Sequence, residues 1–142
     1  MWIIAIILSI LIVFIGKIIL NTQKDKEDLL GKSVEEKFNV IVNSINRAAF
    51  NGEGEITYIG KNHSNLYPDT SNQIVDFLYS QGMLSITWKY KYFQKEMVYR
   101  RNLSNVRNLS LFEQDKIAQS VILGMNRKIQ EHKNSVWANV NE

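Results

Sequence analysis

The feature that most constrains this chain is its opening run, Met1-Trp2-Ile3-Ile4-Ala5-Ile6-Ile7-Leu8-Ser9-Ile10-Leu11-Ile12-Val13-Phe14-Ile15-Gly16-Lys17-Ile18-Ile19-Leu20, in which only Ser9, Gly16 and Lys17 are not apolar. A helix needs about 20 apolar residues to cross the hydrocarbon core of a bilayer. Backbone groups in hydrocarbon must pair internally, so the run is helical if it spans. Trp2, Ile7, Leu11, Phe14 and Lys17 stand out as anchor residues, and the aliphatic stem of Lys17 lets its charge reach the interface. A secretory signal peptide would place its apolar region in the same stretch, with a basic start and a small-residue cleavage site. Neither pattern is present, and Ile18-Ile19-Leu20-Asn21-Thr22-Gln23 offers no A-x-A. The reading is a retained, single-pass signal-anchor with membrane lipid as its first partner. Lys17 near the end of the run and Lys24, Lys26, Lys32 and Lys37 beyond it have no basic counterpart before it, which predicts the soluble part on the cytoplasmic side.

Seventeen of the 64 apolar residues lie in residues 1–20, leaving 47 in the other 122, about 39%, enough for one small domain. The absence of Cys excludes disulfide frameworks, thiol catalysis and Cys-built zinc sites. One Pro and seven Gly argue against a fibrous or disordered chain.

Residues 21–32 are mostly polar and charged and end near Gly31, the pattern of a juxtamembrane linker. Ser33-Val34-Glu35-Glu36 has the form of a capping box. Val34, Phe38, Ile41, Ile45 and Ala48 or Ala49 then continue one helix face to Asn51-Gly52. Glu55–Gly60 predicts a short strand, residues 61–71 a polar loop with the only Pro, and residues 72–82 a short helix burying Ile74, Phe77 and Leu78. The strongest alternation is Leu84–Tyr92, with Ile86, Trp88, Tyr90 and Tyr92 on one face and Thr87, Lys89 and Lys91 on the other. Met97–Leu103 is its return strand across a turn at 93–96 that lacks Asn-Gly or Asp-Gly, leaving turn type and register open. A second capping box at Ser110–Glu113 opens a helix with Ala118, Val121, Ile122, Met125 and Ile129 inward, ending near His132. The chain thus divides into an anchor (1–20), a linker (21–32), an α+β domain (33–133) and a polar tail (134–142), in which Trp137 alone has reason to touch the body. The expected order is α-β-α-β-β-α, about three helices on a short antiparallel sheet.

From Met83 to Leu109 six basic residues face one acid, net +5, while residues 21–142 total +2. Lys89, Lys91, Lys95, Arg100 and Arg101 are the candidate binding surface. Nucleic acid phosphates, anionic headgroups and an acidic protein partner all suit such a face. A half-wet antiparallel sheet, however, separates basic from aromatic side chains in any protein. Helix 72–82 followed by a hairpin suggests a winged helix, but its reading helix would offer only Gln73 and Gln81 to bases and carries Asp76.

Catalytic patterns are weaker. His63 and His132 are the only histidines and neither has metal-ligand or nucleophile spacing; His63 precedes Asp69 by six residues in a polar loop. Glu53 and Glu55 flank Gly54 as a solvated turn would, and no phosphate-binding glycine motif is present. Asn62, Asn102 and Asn108 begin N-x-S triplets, which an Asn-rich chain produces by chance. The expectation is a non-enzymatic, membrane-anchored binding module without metal or cofactor, holding a partner at the membrane surface. The alternative is a membrane-tethered nucleic-acid-binding domain.

Overall fold

The computed structural model describes residues 2–140; Met1 of the expected anchor and residues 141 and 142 of the expected tail lie outside the described residues. In chain order the elements are α1 (Trp2–Leu29), α2 (Val34–Lys37), α3 (Asn39–Phe50), β1 (Glu55–Gly60), β2 (His63–Tyr67), β3 (Gln73–Ser80), β4 (Met83–Tyr92), β5 (Lys95–Leu103) and α4 (Leu111–Val140). The class is α+β: one antiparallel sheet in the order β1-β2-β3-β4-β5, with helices on one face. α1 is long and apolar enough to cross a membrane, and its most apolar window has mean hydropathy 3.1 with none of it buried against the body.

The sheet has five strands where three were expected. Residues 63–67, expected within a loop, form β2, and residues 73–80, expected to be helical, form β3. The residues 72–82 support both periods. Ile74, Phe77 and Leu78 fit helical spacing, whereas Val75, Phe77 and Tyr79 fit a spacing of two. The strand prevails because Val75, Phe77 and Tyr79 lie opposite Trp88, Ile86 and Leu84 of β4, and all six are buried. Leu78, on the other face, is exposed. β2 escapes sequence reading for a simpler reason. Leu66 is its one strongly apolar inward residue, and the strand is held by backbone pairing to β1 and β3.

β4 and β5 form the expected hairpin in the register Trp88↔Tyr99, closed by Phe93 and Gln94 alone, so β5 begins at Lys95 rather than Met97. Both turn residues have positive φ, 45° and 64°, a geometry that matches strand twist but disfavours side chains. Aromatic packing holds it: the Phe93 ring meets Tyr92 at 4.7 Å and Trp137 at 6.1 Å, both edge-on.

The expected first helix breaks at Phe38 into α2 and α3, and both capping boxes form. The Ser33 N–H donates to Glu36 (3.0 Å). At the start of α4 the Ser110 N–H donates to Glu113 (2.8 Å) and the Glu113 N–H to Ser110 Oγ (3.2 Å). The Ser110 N–H first, then the Ser110 hydroxyl, which also donates to it at 2.8 Å, hold the Glu113 carboxyl below its ordinary pKa. Ala118, Val121 and Met125 are buried as their spacing predicts, but α4 continues past His132 to Val140, burying Val136. The expected polar tail is therefore helical through residue 140. His132 Nε2 lies 3.1 Å from Lys95 O, which draws this last stretch onto the hairpin tip.

Candidate functional site

The stretch 21–32, expected to be a linker, continues α1 to Leu29 and is bound to the domain by two carboxylates one turn apart. Asp25 accepts from the backbone N–H groups of Gln81 and Gly82 (2.8 Å for Gly82) and pairs with Arg107 at 2.8 Å. Asp28 pairs with Lys37 at 2.9 Å and accepts from the Tyr79 hydroxyl. Lys37 in turn donates to Arg107 O at 2.8 Å. Burial first, then the Asp28 hydrogen bond, raise the Tyr79 pKa above its ordinary value. Gly82 is needed at the centre: its φ is +71°, and a Cβ there would lie 2.9 Å from Arg107 Nε. With Leu29 buried in the core beside this cluster, the apolar helix and the domain share one packed junction.

The five basic residues singled out from the sequence do not form one surface. Arg100 and Arg101 are neighbours on a strand and must point to opposite sides. Arg100 belongs to the outer face with Lys89 and Lys91, opposite Thr87, and its Nε donates to Thr87 Oγ1 at 3.3 Å. Lys91 lies opposite Glu96, a cross-strand pairing that offsets its charge. Lys95 sits at the hairpin tip. Lys95 and Arg101 share the face toward α4, and of the five only Arg101 lines a cleft against that helix.

There it joins side chains that the sequence reading missed. Lys116, Gln119, Ser120, Leu123, Gly124, Arg127 and Lys128 of α4 line, with Tyr99 and Arg101, a cleft of about 540 Å³. Four cations and no carboxylate line it. Lys128 has Glu131 at 3.4 Å, but both side chains are more than half exposed, so that pair neutralises little. Positions 116, 119, 120, 123, 124, 127 and 128 are one helical face, so the stripe was visible in the sequence. That it would meet β5 was not.

Gly124 sets how closely α4 approaches. A Cβ there would fall 2.2 Å from the Tyr99 hydroxyl oxygen and 2.8 Å from Cζ. Gly124→Ala is expected to destabilise the protein, by about 1–3 kcal/mol for the displaced ring less the better helix propensity of Ala. In a Tyr99→Ala background the same change should stabilise by roughly 0.5–1 kcal/mol. Denaturant unfolding of the four proteins checks the reversal of sign; equal effects in both backgrounds would show that the ring does not limit the approach.

The remaining sequence candidates lie elsewhere. His63 Nε2 is 2.6 Å from Asp76 Oδ1 on the outer sheet face, and its partner is not Asp69, which is exposed. Glu53 and Glu55 are exposed on either side of Gly54. The reading helix of the winged-helix alternative does not form, since residues 74–80 belong to β3 and Gln81 to its turn. Among the described residues no group of three or more His, Asp or Glu side chains is placed to hold a metal ion. Comparison with family models, with curated proteins and with solved structures finds no match for this chain.

Proposed function

We propose that this protein is a single-pass membrane-anchored binding module whose cleft between β5 and α4 holds an acidic protein partner at the membrane surface, with the domain on the cytoplasmic side. The carrying observation is the cleft itself: Arg101, Lys116, Arg127 and Lys128 line one concavity without a carboxylate among its lining residues. Such a grouping repels itself and is relieved by a partner of opposite charge. The Lys-rich stretch after the apolar run supports the assigned side. The junction at Asp25 and Asp28 supports the anchoring role, because a body fixed to its helix presents the cleft in a set orientation.

The test uses the full chain in vesicles of neutral lipid, with polyglutamate as the acidic probe. Arg101→Glu with Arg127→Glu should weaken capture by at least about tenfold, or ~1.4 kcal/mol, and capture by the unaltered protein should fall as salt rises. Lys89→Glu with Lys91→Glu, on the outer face, should leave it unchanged. Equal losses from both pairs would mean that overall charge and not the cleft does the binding. Stronger retention of duplex DNA than of polyglutamate at matched salt would favour the nucleic-acid alternative instead.

A further inference from the structure

Outside α1, an exposed apolar pair stands at the start of α4. Leu111 and Phe112 occupy the first turn of that helix with 67% and 66% of their surfaces exposed, although the opposite stripe of the same helix is buried. Their position relative to α1 gives this exposure a meaning. Trp2 to Leu20 measures about 28 Å at 1.5 Å per residue, and the hydrocarbon core is about 30 Å thick. A spanning α1 therefore has no slack, and the hydrocarbon boundary falls at Leu20–Asn21. Asn21 lines one cavity of about 620 Å³ with Gly82, Asn108, Leu109 and Glu113. Leu109 and Glu113 bracket Leu111 and Phe112 in the chain, so the first turn of α4 lies beside the point where α1 leaves hydrocarbon. The headgroup layer there is only about 5–7 Å deep on each side.

We infer that Leu111 and Phe112 insert into the interfacial region of the bilayer that α1 crosses, giving the domain a second point of attachment. The occupant of this patch is lipid, because its chain neighbours Leu109 and Glu113 line the same cavity as Asn21, where a spanning α1 emerges. Lys116 has its Nζ 4.6 Å from the Phe112 ring centroid, one turn further on, where a cation meets headgroup phosphates while the ring lies in the acyl boundary. Because α1 is clamped to the domain, helix and body tilt in the bilayer together, and a second contact limits that tilt. The inference rests on the anchored reading; Lys116 lies at the edge shared with the cleft, and the insertion of Leu111 and Phe112 does not depend on what the cleft binds.

The chain has no Cys, so single cysteines can be introduced and labelled without a background. Phe112→Cys and Leu111→Cys, each carrying an environment-sensitive fluorophore, are compared in full-length protein reconstituted into phosphatidylcholine vesicles with nitroxide on the lipid near the headgroup or deep in the acyl chain. Ile10→Cys reports the anchor and Glu96→Cys, exposed near the hairpin tip, reports bulk water. The expected result is quenching of the labels at 111 and 112 by the shallow nitroxide several-fold above that at 96, with the label at 10 quenched by the deep nitroxide. Labels at 111 and 112 that match the one at 96 while 10 is quenched overturn this inference and leave the anchor standing. Labels shielded from aqueous iodide yet untouched by lipid nitroxide overturn it in favour of a second copy covering the patch. Failure at 10 removes the anchored reading and this inference together.

Discussion

Trp88→Ala is expected to cost about 3–5 kcal/mol, the range for deleting a buried large aromatic. Trp88 is 2% exposed in the middle of the longest strand, flanked across the pairings by Val75 on β3 and Tyr99 on β5. Its indole Nε1 donates to Gln73 Oε1 at 2.9 Å, and Gln73 Nε2 donates to Ala49 O at 3.3 Å near the end of α3. The substitution therefore opens a cavity between sheet and helices and also removes the donor from a chain of bonds joining the two layers. At about 3–5 °C per kcal/mol, between the values for smaller and larger domains, Tm should drop by roughly 10 °C or more. Trp137→Ala, by contrast, removes a half-exposed ring at the hairpin tip and should cost less than about 1 kcal/mol. Thermal and denaturant unfolding of the full chain in detergent micelles, followed by circular dichroism, measures both. Comparable losses for the two would mean that the core is not centred on β4.

Asp25→Ala should release the apolar helix from the domain, at a cost of about 3 kcal/mol for breaking a largely buried pair and leaving its partners unmet. The carboxylate is bound on three sides, by Arg107 and by the N–H groups of Gln81 and Gly82, so no single replacement contact can form. Amide exchange should quicken for residues 21–29 and at Gln81 and Gly82, while the amides of β4 keep most of their protection. Asp25→Ala combined with Arg107→Met should lose less than the sum of the two single changes, because the double variant leaves no unpaired charge at the junction. Unaltered exchange at residues 21–29 in Asp25→Ala would mean that Asp28 and Leu29 hold the helix alone, and the junction would then be smaller than described.

That junction shows how a polar sequence can mislead. Lys24-Asp25-Lys26-Glu27-Asp28 has the composition of a solvated linker, since nothing local marks which of its acids will meet partners more than fifty residues away. Gly82 and Arg107 complete the site from a turn and a loop, and their joint meaning exists only once β3, β4 and β5 have paired. The cationic cleft follows the same logic. Alternation along β5 implied that Arg100 and Arg101 diverge, and helical spacing implied one basic face on α4, but neither pattern says that the two faces meet.

The apolar helix, both capping boxes, the β4–β5 hairpin with Trp88 inward, and the inward stripes of α3 and α4 are all legible in the order of residues. Each is written in side-chain spacing within a dozen or so neighbouring residues, where period and capping chemistry act directly. Tertiary structure alone decided that residues 73–80 are a strand, that a nearly polar β2 pairs beside it, that α1 ends clamped to the domain, and which cations share a cleft. Those outcomes depend on backbone pairing and on charges brought together from distant segments. Their free energy is gained only on assembly, and no local window carries it.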